Sequence, residues 1–163
     1  MFLDKEIPDK IIRELIDCAR CAPSSKNTQP WEFIVIKDKN IIKDIASIYT
    51  VYNDYKHMIG APVLFVCCAK PEKSYELMYD HLFSTCAAVE NILLSAHSLG
   101  LGACWTFCKS DNKGPEKTIK KMLNIPENID VLCLIPMGYP HPDQRIDKKT
   151  LKGIDEITHS NKW

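Results

Sequence analysis

The side chains best suited to chemistry in this chain are gathered in one polar loop, residues 22–31, between two apolar segments. Two hydroxyls and two amides lie within it: Ser24, Ser25, Asn27 and Gln29. Neutral groups that both donate and accept hydrogen bonds suit a polar ligand. The same side chains could instead satisfy the backbone of a turn. Local chemistry therefore leaves a ligand loop and a simple connection both open.

The segments on either side of this loop show which elements hold it. Apolar residues before the loop recur with helical spacing: Ile11, Ile12, Leu15, Ile16 and Ala19. This spacing predicts a helix over residues 9–20, with Asp9 as its N-cap. Residues 32–37 are apolar enough to predict a buried strand. Pro23 ends the helix and Pro30 fixes the start of the strand, so both ends of the loop are held.

The remaining pattern alternates helices and strands. Further helices are predicted over residues 39–49, 74–98 and 117–123, and further strands over residues 62–69, 101–107 and 130–137. The helix over residues 74–98 would be about 37 Å long, and Gly100 suits its C-cap. Its second half is apolar on most sides, so we expect it to be buried. Strands that are apolar on both faces predict a sheet covered by helices on both sides, in an α/β or α+β sandwich.

Length and charge restrict the class of protein. The chain has 163 residues, which predicts a single domain over residues 1–163. Lys plus Arg and Asp plus Glu both number 21, and this zero net charge argues against a nucleic-acid partner. No apolar run is long enough for a transmembrane helix. The first six residues are too polar for a signal peptide, so we expect a cytoplasmic protein.

Other familiar chemical motifs find little support. Eight cysteines occur, but Cys18 and Cys21 form a single C-x-x-C pair without the second pair that a zinc site needs. We expect reduced thiols that pack as small hydrophobes, with a metal or redox centre as the alternative. The five histidines are scattered, and we expect them to be surface or packed residues. Gly100 and Gly102 lack the third glycine of a dinucleotide fingerprint, and they follow a helix.

The order of residue types in the polar loop gives a further indication. The pattern Pro-Ser-Ser-x-Asn-x-Gln-Pro-Trp over residues 23–31, followed by an apolar strand, resembles the nitroreductase family of flavin enzymes. Three further segments resemble that family in the right order: residues 4–9, residues 99–105, and residues 135–140 with Arg145 beyond them. The resemblance extends from residue 2 to about residue 150. It implies an α+β three-layer sandwich with a mostly antiparallel sheet, in an intertwined homodimer exchanging a tail over about residues 143–163.

The resemblance also implies a cofactor site for FMN. Residues of the polar loop would line the flavin ring and the ribityl chain: Pro23, Ser24, Ser25 and Asn27. Thr106 and Phe107 stand where the family places a backbone amide near flavin N5, often at a glycine. Arg145 would hold the phosphate, although its spacing is shorter than usual and Lys148 or Lys149 could substitute. Gln29 and Trp31 would shape the loop and pack.

The implied activity is an FMN-dependent oxidoreductase that passes electrons from NAD(P)H to a nitroaromatic or quinone-type acceptor. The flavin would perform the redox step, so no catalytic side chain is required. One departure favours an alternative, a degenerate member that binds flavin weakly or serves as a non-catalytic binding or assembly protein. The family's Arg-Arg-Ser-x-Arg motif does not precede Phe2 in this sequence. Either the coding sequence starts upstream of Met1, or part of the phosphate clamp is lost.

Overall fold

Four helices and five strands build the described part of the chain. The computed structural model describes residues 1–49, 57–71, 79–108, 114–144 and 149–163. The helices are α1 (Asp9–Arg20), α2 (Lys39–Ile48), α3 (Asp80–Ser98) and α4 (Pro115–Leu123). The strands are β1 (Trp31–Ile36), β2 (Val63–Ala69), β3 (Gly102–Ala103), β4 (Thr106–Phe107) and β5 (Asp130–Gly138). Short 3₁₀ turns cover Ser25–Asn27 and Ile154–Glu156.

A single antiparallel sheet organises these elements. The strand order is β1-β2-β5-β3, and β4 pairs with β5 beside β3. Every pairing among the described strands is antiparallel. Ala69 on β2 lies between Trp31 and Asp130, which fixes one end of the sheet. Gly102 lies opposite Gly138 at the other end. The mostly antiparallel α+β sheet predicted from the sequence is confirmed.

Both faces of the sheet are covered, as predicted. Side chains alternate along β2, so Phe65 and Cys67 point into a core with α1 and α3. Leu64 and Val66 point the other way, into a second core with α2 and α4. Every residue of β2 is buried for this reason. The three-layer arrangement is therefore helices, sheet, helices. The single-domain boundaries at residues 1–163 stay a prediction.

Some sequence predictions were wrong in detail. Asp9 is the first residue of α1 and does not cap it, since Pro8 precedes the helix and no side-chain cap is made. The strand predicted over residues 101–107 is broken at Cys104 and Trp105 into β3 and β4. The first part of the helix predicted over residues 74–98 lies outside the described residues, and α3 is described from Asp80.

The C-terminus of α3 ends as the sequence predicts. Gly100 takes a left-handed φ of 74° just after the helix. Its N–H donates to the carbonyl of His97 at 3.0 Å, and the N–H of Leu101 donates to Ala96 at 2.9 Å. This pair of bonds is a Schellman motif, in which glycine avoids the steric cost of a left-handed backbone. The motif turns the chain directly into β3.

The N-terminal segment docks beside the end of β5. Leu3 donates its N–H to the carbonyl of Tyr139 at 2.8 Å, and His141 donates to the carbonyl of Met1 at 3.0 Å. The Phe2 ring fills the notch over Gly138. A Cβ added at Gly138 would lie 2.6 Å from Cδ of Pro62 and 2.9 Å from Cδ1 of Phe2. The missing side chain is therefore what allows this docking.

Gly138→Ala is expected to lower the free energy of unfolding by about 1–3 kcal/mol, because the new methyl group overpacks the notch. Gly102→Ala is the matched control. It lies opposite on β3, and its added Cβ would approach the Phe2 ring no closer than 3.4 Å. Urea unfolding followed by circular dichroism measures both variants. Equal midpoints for the two variants would contradict the role assigned to Gly138.

The expected burial of the long helix holds on one face only. Phe83 is 69% exposed and Leu94 is 61% exposed on α3. Residues 149–163 are exposed throughout and include the apolar side chains Leu151, Ile154 and Ile157. No helix among the described residues has the length and hydrophobicity needed to span a membrane. The single chain therefore exposes apolar side chains on α3 and on residues 149–163.

Candidate functional site

The polar loop has a strained backbone. Lys26, Asn27 and Gln29 all take left-handed conformations, with φ of 48°, 58° and 47°. Asparagine tolerates this region, but lysine and glutamine gain nothing from it, and each such residue costs on the order of 1–3 kcal/mol. Backbone strain of this kind clusters at ligand sites, where surrounding contacts hold it in place. The strain favours a ligand loop over a plain connection.

Hydrogen bonds hold this loop against itself and against α3. Ser24 Oγ accepts from the N–H of Gln29 at 3.0 Å, and the Ser24 carbonyl accepts from the N–H of Asn27 at 3.0 Å. The N–H of Ser25 donates to Oγ of Ser84 on α3 at 3.2 Å. Within the described part of the chain, the side-chain hydroxyl of Ser25 and the side-chain amide of Asn27 have no hydrogen-bond partner. Those two side chains remain available to a ligand.

Strand β4 presents a backbone amide at the edge of the sheet. Cys104 N–H donates to Pro136 at 3.4 Å, and Cys108 N–H donates to Leu132 at 3.3 Å. Because successive N–H groups point in opposite directions along a strand, the N–H of Phe107 points away from β5. The Phe107 side chain is 61% exposed beside it. Of the two residues predicted near flavin N5, Phe107 is therefore the one whose backbone N–H points away from β5.

Thr106 turns its side chain into the protein. Its hydroxyl is buried, and Nε2 of His57 lies 2.7 Å from Thr106 Oγ1. The Tyr49 hydroxyl donates to the carbonyl of Phe107 at 3.5 Å. Sequence reasoning treated His57 as an ordinary surface or packed histidine. No local signal could have found this contact, since His57 and Thr106 are 49 residues apart.

The polar loop and the C-terminal end of β5 lie near opposite ends of α3. Ser25 contacts Ser84 near the start of α3, and α3 continues for about 21 Å from Ser84 to Ser98. Residues 138–144 lie beyond that far end, where β3 meets β5. The ribityl chain of FMN is bonded directly to its phosphate, so groups that contact the two must be close. Arg145 and Lys148 lie outside the described residues, and Lys149 is exposed.

A second side-chain contact, at the end of the sheet near the polar loop, was also not predicted. His81 Nε2 on α3 lies 2.8 Å from Oδ2 of Asp130, the first residue of β5. The sequence indicated no partner for His81, which we expected to be a surface or packed histidine. Thr85 Oγ1 donates to the carbonyl of His81 at 2.7 Å. The His81–Asp130 contact fixes the start of α3 against the sheet, the Thr85 bond lies within the helix, and Ser84 follows on the same turn.

Most of the cysteines are at least partly buried, and none of the eight forms a disulfide. Burial raises the pKa of Cys68 and of Cys108 to about 12. Burial also raises the pKa of Cys86 and, well above its usual range, that of Cys67. These four side chains stay protonated at neutral pH and are poor nucleophiles and metal ligands in that form.

Comparison with known proteins agrees with this architecture. A family profile described as nitroreductase family matches residues 1–54 and 49–139. A curated relative from Methanothermobacter thermautotrophicus, provisionally named NADH dehydrogenase/NAD(P)H nitroreductase, is 36% identical over 99% of this chain and 81% of its own. The chain belongs to the nitroreductase family and is an oxidoreductase.

Solved structures show the same fold. A structure described as an FMN-dependent nitroreductase from Clostridium difficile R20291 has a TM-score of 0.81 and 28% identity. That likeness covers 99% of this chain and 92% of the other. A BluB-like flavoprotein from Clostridium difficile 630 has a TM-score of 0.78 and 25% identity, covering 99% and 93%. The nitroreductase fold predicted from the sequence is thus confirmed.

Proposed function

We propose that this protein binds FMN and transfers electrons from NAD(P)H to nitroaromatic or quinone-type acceptors. The names of its relative and of the FMN-dependent structural neighbour support the cofactor and the donor. The observation that carries the proposal is the N–H of Phe107, which points away from β5. A fixed amide there can stabilise the charge that develops when a ring in contact with it is reduced.

The residues present fit a flavin. The ring and ribityl chain are rich in neutral hydrogen-bonding atoms, and the Ser25 hydroxyl and Asn27 amide are the groups the loop leaves available. When bound, the flavin supplies the hydride and electron chemistry. The chain supplies orientation through the loop and a backbone amide through Phe107.

We infer that the site is shared with a second copy of this chain. Ser25 lies near the start of α3, whereas Gly138 lies beyond its other end, opposite Gly102 on β3. A homodimer would bring the polar loop of one chain to the C-terminal segment of the other, to which Arg145 belongs. The exposed apolar residues of α3 and of the tail offer surface for that contact, and we expect the tail over about residues 143–163 to cross between subunits.

The purified protein is expected to carry the visible absorption of bound flavin. Denaturation followed by chromatography should release FMN and no FAD, since nothing in the sequence matches an adenylate-binding fingerprint. Under anaerobic conditions NADH or NADPH should bleach the absorption, and a nitroaromatic or a quinone should restore it. The more efficient nicotinamide identifies the physiological donor.

Three results would argue against the proposal. Recovery of FAD would contradict the cofactor. Absence of a protein-bound fraction at saturating FMN would contradict flavin binding. Bound flavin that neither nicotinamide reduces would favour the alternative of a non-catalytic binding or assembly protein. A cytoplasmic location stays a prediction from the sequence.

A further inference from the structure

Strand β4 is weakly held by the sheet itself. It is two residues long and lies at the edge, with β5 as its only partner among the described strands. The flanking ladder bonds are long, at 3.4 Å from Cys104 and 3.3 Å from Cys108. Short edge segments with few backbone bonds open locally at low cost. The position of the Phe107 amide therefore depends on contacts from outside the sheet.

Those contacts come from two residues on the α2 side of the sheet. Nε2 of His57 lies 2.7 Å from Oγ1 of Thr106, which is 5% exposed. Tyr49, itself buried, reaches the carbonyl of Phe107 at 3.5 Å. The His57 contact is the shorter of the two and reaches a buried hydroxyl. Losing one partner of a buried hydrogen bond is costly because the remaining polar group cannot form a hydrogen bond with water instead.

We propose that His57 is a positioning residue that, through Thr106, fixes the Phe107 backbone amide against the flavin. This inference rests on the proposed function, because the amide matters only if a flavin lies beside it. Thr106 and Phe107 point to opposite faces of β4, so His57 contacts the strand on the face opposite the Phe107 side chain. Its effect passes along the backbone, from the Thr106 side chain to the next N–H.

The physical consequence concerns the reduction potential. A fixed donor stabilises negative charge on the reduced ring only when it is held in position beforehand. Without the His57 contact, Thr106 can rotate and β4 can shift, so the Phe107 N–H is aimed less well. The flavin then becomes harder to reduce, and its midpoint potential falls.

The test compares variants of the full-length, FMN-loaded protein. His57→Phe removes the polar partner, while His57→Gln keeps a hydrogen-bonding group near the place of Nε2. Thr106→Val removes the other partner at nearly constant volume, so it remains informative if His57→Phe folds poorly. Dye-coupled titration gives the midpoint potential. Hydrogen exchange of a peptide covering residues 102–108, in flavin-free protein, reports how firmly β4 is held.

We expect His57→Phe and Thr106→Val to lower the potential and to speed exchange at residues 102–108. His57→Gln should lie close to wild type in both measurements. The double variant His57→Phe/Thr106→Val should lower the potential no further than either single change, because both break one contact. Flavin bound at an unchanged potential in both single variants would overturn the inference while leaving the proposed function standing. Absence of bound flavin in the wild-type protein would overturn both.

Discussion

Mixing two variants that each bind FMN poorly is expected to restore about one quarter of the wild-type sites, if each site is shared between two subunits. One variant is Ser25→Ala/Asn27→Gly in the loop, and the other is Arg145→Ala in the C-terminal segment. A mixed dimer has one site with both defects and one site with none. Random exchange makes half of the dimers mixed, which gives the stated fraction.

The loop variant is chosen to leave the backbone intact. Asn27 has a φ of 58°, where glycine is unstrained, so the change removes only the side chain. Losing the polar atoms of both side chains at about 1 kcal/mol per hydrogen bond weakens FMN binding by roughly one to two powers of ten. Subunits must be exchanged under conditions that separate and rejoin the dimer.

The measurement is FMN binding and NAD(P)H oxidation at an FMN concentration near the wild-type dissociation constant. Each variant alone should show little of either, and the mixture should recover both. A mixture of one variant with itself, treated identically, is the control. Recovery that stays at the level of the separate variants would mean that loop and Arg145 act within one chain, and the two-chain site would be abandoned.

Replacing Arg145 alone is expected to raise the FMN dissociation constant by about one to two powers of ten, from about 1.5–3 kcal/mol for a charge-assisted hydrogen bond. Arg145 is the only arginine beyond Arg20 in this chain. A guanidinium binds a phosphate through two parallel hydrogen bonds, which a lysine cannot reproduce. Arg145→Lys should therefore recover part of the affinity and not all of it.

Riboflavin separates a phosphate contact from a ring contact. It lacks the phosphate, so its affinity should change little in Arg145→Ala. Lys149→Ala provides the matched control, because Lys149 is an exposed cation close in sequence and was the alternative for the same role. An equal loss for FMN and riboflavin would place Arg145 in the fold or at the ring. A larger loss in Lys149→Ala would transfer the phosphate role to that lysine.

The sequence by itself determined which elements form and how the layers stack. Apolar spacing predicted α1, and an unbroken apolar run predicted β2, because both signals are local and depend on the period of the backbone. Gly100 predicted the end of α3, because the left-handed backbone that follows a helix favours glycine. This signal is local as well. The polar character of residues 22–31 was also readable directly, and it identified the candidate ligand loop.

Only the tertiary structure decided which groups face one another. The break between β3 and β4 lies where pairing with β5 is interrupted, and the pairing of β4 directs the Phe107 N–H away from β5. The contact of His57 with Thr106 joins residues far apart in sequence, and the distance from Ser25 to the far end of α3 is set by packing. Long-range contacts leave no periodic trace in a single sequence, so the site's geometry, unlike its chemistry, could not be predicted from it.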